Sequence, residues 1–250
     1  MWYCGLDLGQ AADYTALVAL DRDNETMVYR CRHLHRFPLN TPYTTQVDQV
    51  ISWLAIQGME GCSLVVDHTG VGRAVVDLLL SRNPPVSIVP VTITAGLDFS
   101  GDRRGGFRVP KKDLVTALNL VLQQRRMKIP RTLALADTLA TELGNFKVKV
   151  TAAANETFGA WREGQHDDLV LALAMAVWYS EEQNRYLTQI ARASKQSVAY
   201  VAEPEEAAED RVQLKPGVIA GKPTLDEELT AWRSEVQGPV WSRPGYWGDD

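Results

Sequence analysis

Carboxylates stand at three places in the chain where the local pattern sets them up for chemistry. Asp7 closes the apolar run from Met1 to Leu8, and Asp67 closes CSLVVD. Asp167 and Asp168 open a stretch that carries no charge from Leu169 to Tyr179. An Asp at a helix start ordinarily serves as an N-cap, where its charge suits the positive end of the helix dipole. One cap needs one Asp, so the second carboxylate, beside His166, is left over. A strand-terminal Asp is ordinarily a turn residue. The combination says more than its parts. In open α/β sheets functional groups gather at the carboxyl ends of strands, and Asp7 and Asp67 both stand at such ends. If the helix starting at Asp167 packs with its N-terminus at the same edge, three or four carboxylates converge. No Lys or Arg neighbours any of them in sequence. Like charges gathered in this way raise one another's pKa, and a bound divalent cation removes the cost. Oxygen-only ligands favour magnesium or manganese. Two such ions about 4 Å apart make a phosphoryl-transfer site, one acidifying an attacking water and the other steadying the leaving oxygen.

The elements that must position these acids read as an α/β chain. Met1 to Leu8, Thr15 to Leu20 and Thr26 to Leu34 are three consecutive strands with short turns. Tyr43 to Gln57 has helical spacing, with Val47, Val50, Ile51 and Leu54 on one face. Cys62 to Asp67 fits a central strand buried on both faces. Arg73 to Arg82 reads as a helix and Val86 to Val91 as a further strand, an alternation that implies a partly parallel sheet. Thr92 to Pro110 reads as a Gly-rich loop, Lys111 to Met127 and Thr132 to Leu143 as helices, and Phe146 to Val150 with Phe158 to Trp161 as a hairpin. After Glu182 the character changes. AEPEEAAED is acidic, and this last region holds five prolines with Trp232, Trp241 and Trp247 and little core of its own. The expected division is a catalytic domain over residues 1–182 and an extended C-terminal tail over 183–250, with a short helix around Leu225 to Val236. The tryptophans suit either docking onto a partner or packing back onto the domain.

Composition narrows the partners. A net charge of −5 means that a nucleic-acid partner needs a local basic patch. Arg103, Arg104, Arg108, Lys111 and Lys112 place five cations in ten residues, around Gly105-Gly106. Such a run is often only a solvated face, but here the glycines allow close backbone approach to a phosphate. Arg125 and Arg126 extend the patch. The three cysteines form no CxxC pair, which argues against a zinc site and suits a reducing, cytoplasmic setting. No apolar run approaches the roughly 18 residues of a membrane span.

In order along the chain, GLDLGQAADYTALVAL, LVVDHTGVGRAVVDLL, FRVPKKDLVTALNLVLQQRRMKIP, LATELGNF and HDDLVLALAMAVW resemble the nuclease domain of phage terminase large subunits. The resemblance runs over about residues 3 to 180. It implies a ribonuclease H-like fold, a central mixed five-stranded sheet flanked by helices. It also implies cutting of double-stranded DNA with two divalent cations, Mg2+ or Mn2+, during genome packaging. On that resemblance Asp7, Asp67 and Asp168 are metal ligands and Asp167 is a fourth or alternative one. Asp13 matches an assisting acid after the first strand, and His166 is placed to orient a carboxylate or water. No GxxxxGK[ST] phosphate loop occurs, so a split or standalone nuclease subunit or an excised domain is expected. A separate packaging ATPase, a small terminase subunit or a portal is then the expected partner of the tail. GLDLG also resembles the first phosphate loop of actin and sugar-kinase ATPases. A Holliday-junction resolvase shares the fold and acids, and a catalytically inactive DNA-binding or docking module is the non-enzymatic alternative.

Overall fold

The computed structural model describes residues 1–9, 13–55, 59, 61–96, 98–102, 105–152 and 167–201. Strands β1 (Trp2–Asp7), β2 (Ala16–Arg22) and β3 (Tyr29–Arg36) form an antiparallel meander. Then come α1 (Tyr43–Leu54), β4 (Ser63–Asp67), α2 (Gly72–Ser81) and β5 (Ser87–Thr94). The chain continues through β6 (Ser100–Asp102), β7 (Gly106–Pro110), α3 (Lys111–Gln123), β8 (Met127–Lys128), α4 (Ala136–Ala152) and α5 (Asp168–Val201). The sheet order is β6-β7-β5-β4-β1-β2-β3-β8. Strands β1, β4, β5 and β7 are parallel, so their carboxyl ends share one edge.

Among the described residues the sheet has eight strands where five were expected. The additional ones are short. Residues Thr92 to Pro110, expected as a loop, hold the hairpin β6–β7, turned with Gly101 at φ +104° and Gly106 at φ +82°. In β7 Phe107 and Val109 face inward around an exposed Arg108. Five residues give too little alternation to stand out beside the glycines. Helix α3 stops at Gln123 rather than Met127, because Arg125 takes φ +56° and turns Met127 and Lys128 into pairing with β3. Residues Phe146 to Val150, expected as a strand, continue α4. Extending an existing helix avoids a second nucleation cost, which outweighs the β-propensity of FKVKV. Phe158 to Trp161 and the helix expected around Leu225 to Val236 lie outside the described residues. Helix α5 runs on past Glu182, where the composition changes, as far as Val201. Among the described residues no helix is long and apolar enough to cross a membrane.

Side chains alternate across the two faces of the sheet. Cys4 and Leu6 of β1, with Leu8 just beyond its end, join Leu64 and Val66 of β4 in a core under α1 and α2. Tyr3, Val65, Val18 and Leu20 face the other core, beneath α3 and α5. By the same alternation Asp7 and Asp67 project toward α5. That helix lies directly on β1. A Cβ built on Gly5 would meet the carbonyl oxygen of Ala172 at 1.8 Å, so only glycine admits the helix there. The apolar body of α5, including Leu169, Val170, Leu173, Met175 and Val177, is fully buried. Each such side chain contributes about 2 kcal/mol by leaving water, which holds the acidic start of the helix at the sheet edge.

Candidate active site

Asp7 and Asp67 stand on adjacent parallel strands, with Leu6 in register with Val66 one residue earlier. The turn after Asp67 is fixed locally. The Thr69 amide donates to Asp67 Oδ1 at 2.8 Å, and the Ile93 amide donates to Thr69 Oγ1 at 3.1 Å. A Cβ on Gly72 would come within 2.0 Å of the Asp67 carbonyl oxygen, so a glycine is required where α2 starts against β4. Asp168, buried in the first turn of α5, reaches the same place from above.

The electrostatics show the convergence. Burial pushes the Asp7 carboxyl well above the usual carboxylate range, and Asp67, Asp168 and Asp167 push it further, with Lys111 opposing them. Burial also raises Asp67, against the pull of Thr69, His68 and Lys111. A buried carboxyl surrounded by acids ionises at a cost unless positive charge arrives.

Part of that charge is built in, from residues far away in sequence. Lys111, the first residue of α3, brings Nζ to 3.5 Å from Asp167 Oδ2. Arg36, at the end of β3, places Nη2 3.2 Å from Asp168 Oδ2 and also pairs with Glu142 of α4. Glu142 Oε2 in turn accepts the Val170 amide at 3.2 Å. The Glu142 carboxyl is pushed up to about 7 by burial, with Arg36 and the Val170 amide opposing and Asp168 adding to the rise. The helix-cap question raised by the sequence is thereby answered. The Asp167 carbonyl accepts the first intrahelical bond, from the Leu171 amide at 2.9 Å, so Asp167 occupies the cap position. The amide that a capping side chain there would take is satisfied by Glu142 instead.

Of the residues singled out from sequence, Asp7, Asp67, Asp167 and Asp168 come together. Lys111, first read as a DNA contact, sits against this cluster. Asp13 is exposed in the β1–β2 connection and is not among the charges that shift Asp7. Arg108 is exposed on β7 and Lys112 lies in the first turn of α3. Arg103, Arg104 and His166 lie outside the described residues. Glu142 and Arg36 were missed. Glu142 lies within LATELGNF, one of the stretches that carry the resemblance, and the signal for both was the absence of any sequence-adjacent cation to balance the acids.

The donors suit hard divalent cations. They are all carboxylate oxygens, and Asp167 Oδ2 is buried without a hydrogen bond among the described residues. Among the described residues no three acidic, His or Cys groups already enclose a single ion position. Asp167 and Asp168 are engaged by Lys111 and Arg36.

Residues 4–179 match the family model described as the terminase RNaseH-like domain. The chain belongs to the terminase RNaseH-like family. The chain is 28% identical over 191 residues to the terminase large subunit of Thermus virus P23-45, and 29% identical over 191 residues to that of Thermus phage G20c. Each match covers 76% of this chain and 34% of the relative, so the chain spans about a third of their length. Among solved structures it is similar to the large terminase nuclease from thermophilic phage G20c with bound zinc, at 22% identity and a TM-score of 0.45. That similarity covers 70% of this chain and 79% of the other. As a terminase RNaseH-like domain the chain has the ribonuclease H-like α/β fold, here with additional short strands at both edges of the sheet.

Proposed function

We propose that this terminase RNaseH-like chain is a divalent-metal-dependent endonuclease that cuts double-stranded DNA during phage genome packaging. One observation carries the reading: the buried carboxyls of Asp7 on β1 and Asp168 at the start of α5, gathered with Asp67 of the neighbouring strand at the carboxyl edge of the sheet. Asp7 and Asp67 hold the cations from the sheet, and Asp168 and Asp167 hold them from α5. When bound, two Mg2+ or Mn2+ ions acidify an attacking water and stabilise the leaving oxygen. The protein's own groups do the rest. The rigid parallel strands fix two ligands within one register step, and the close contact of Gly5 with Ala172 fixes the helix that carries the others. Lys111 offers a positive charge beside the acids, where a phosphate approaching them would otherwise be repelled. Arg108 and Lys112, with Arg103 and Arg104, supply DNA-backbone contacts, and residues 183–250 serve as a tail that meets a packaging ATPase, a small subunit or a portal.

The test is cleavage of supercoiled plasmid with manganese, magnesium or EDTA, beside Asp67→Ala. The expected result is metal-dependent nicking or linearisation that is lost in the variant. Cleavage that persists undiminished in Asp67→Ala, or no cleavage by folded protein with no metal-induced rise in Tm, overturns the reading.

A further inference from the structure

We propose that Arg36 and Glu142 are positioning residues that set the Asp168 carboxylate for cation binding, a proposal that rests on the metal-site reading above. Three features of the structure point to it. The first is how Arg36 reaches the site. Ala19 of β2 pairs with His33, but the next residue, Leu20, pairs with Cys31, so Arg32 is an extra residue in β3. Such a bulge inverts the alternation beyond it. Before it, Tyr29 and Cys31 face the core beneath α5. After it, Leu34 and Arg36 do so, while His33, His35 and Phe37 turn to Trp53 on the opposite face. Without the bulge Arg36 would point away from Asp168.

The second feature is how firmly Arg36 is held. Its guanidinium lies 4.7 Å from the centroid of the Tyr14 ring, pairs with Glu142, and contacts Asp168. A planar fork fixed on several sides presents a defined direction to the remaining carboxylate. The third feature is the double duty of Glu142. It fixes Arg36 through one oxygen and the first turn of α5 through the other. One side chain of α4 thus locates both the helix that carries Asp168 and the cation that faces it. The cap position belongs to Asp167, yet its capping bond is made by Glu142, which leaves the Asp167 and Asp168 side chains for other partners. Outer groups that orient metal ligands typically matter 10- to 100-fold in affinity.

The full 250-residue chain and three variants, Glu142→Gln, Arg36→Lys and the double variant, are titrated with Mn2+. Binding is read by the electron paramagnetic resonance signal of free Mn2+, and Tm is measured in EDTA. Each single variant is expected to weaken Mn2+ binding about 10- to 100-fold while its Tm in EDTA moves by a few degrees at most. The double variant is expected to be no weaker than the worse single one, since the two residues act as one unit. Arg36→Lys keeps the charge and loses the fork, so a loss there separates positioning from simple charge. Should Glu142→Gln fail to fold, Arg36→Lys leaves the Val170 cap in place and decides alone. Variants that bind Mn2+ within twofold of the natural chain overturn the proposal, whatever their Tm. Tighter binding overturns it too, because Arg36 would then be competing with the cation. A natural chain that binds no Mn2+ brings down the metal-site reading and this proposal together, whereas binding that is intact in every variant brings down only this one.

Discussion

Asp7 carries its carboxyl into a buried corner shared with three other acids, so its ionisation works against the fold. In the unfolded chain it titrates as an ordinary carboxyl. In the folded chain it retains its proton to higher pH. Between the two pKa values the native state binds more protons, so stability falls as pH rises through the folded pKa. Cations that bind the acids reverse this. Asp7→Asn removes the charge and keeps the shape. In EDTA the variant is expected to melt a few degrees above the natural chain at pH 8, with the gap closing toward pH 4. It should lose metal-dependent plasmid cleavage, the exchange of stability for function common at active sites. Thermal melts across pH in EDTA check this, and an equal or lower Tm at pH 8 contradicts the electrostatic account of the site.

At the scale of elements, α5 is the part whose placement decides everything else. Its approach to β1 depends on Gly5, where a methyl group would sit 1.8 Å from the Ala172 carbonyl oxygen. Gly5→Ala must push the helix outward, so it is expected to cost about 1–3 kcal/mol or more by forced displacement in a packed core and to abolish cleavage. Denaturant unfolding beside the plasmid assay measures both, and a variant with unchanged stability would show that the helix sits elsewhere. The helix itself was legible in the sequence, because an uncharged run headed by acids has few other readings. Asp7 and Asp67 were legible as strand ends, since apolar β-rich runs stop at them. Arg36 was not. Counting alternation from Tyr29 and Cys31 puts His33 and His35 toward α5 and Arg36 away from it, and the bulge at Arg32 reverses that assignment without any glycine or proline to announce it. Glu142 was hidden for a different reason: a capping bond made from another helix leaves no trace in local spacing.

Across the whole molecule, a chain of net charge −5 that gathers acids at one sheet edge must still admit a polyanion there. The cations that allow this are unevenly placed. Lys111 and Arg36 are committed to Asp167 and Asp168 at the centre. Arg108 is exposed on β7, where Phe107 and Val109 take the face toward α5, and Lys112 follows Lys111 in the first turn of α3. The hairpin β6–β7 that carries Arg108 extends the parallel half of the sheet beyond β5, and α3 follows directly from the end of β7. If these outer cations meet phosphates, each contact displaces condensed counterions, and the logarithm of affinity falls with the logarithm of salt by about 0.9 per phosphate. Arg108→Ala with Lys112→Ala should therefore weaken duplex binding in EDTA at low salt and flatten that slope by about 1 to 2. Tm should change little, because Arg108 is exposed, Lys112 is half-buried, and surface charges contribute little to stability. Fluorescence anisotropy across a salt series reads both quantities. A slope identical to that of the natural chain would mean that the duplex approaches from another side, and that these cations only offset the acids at long range.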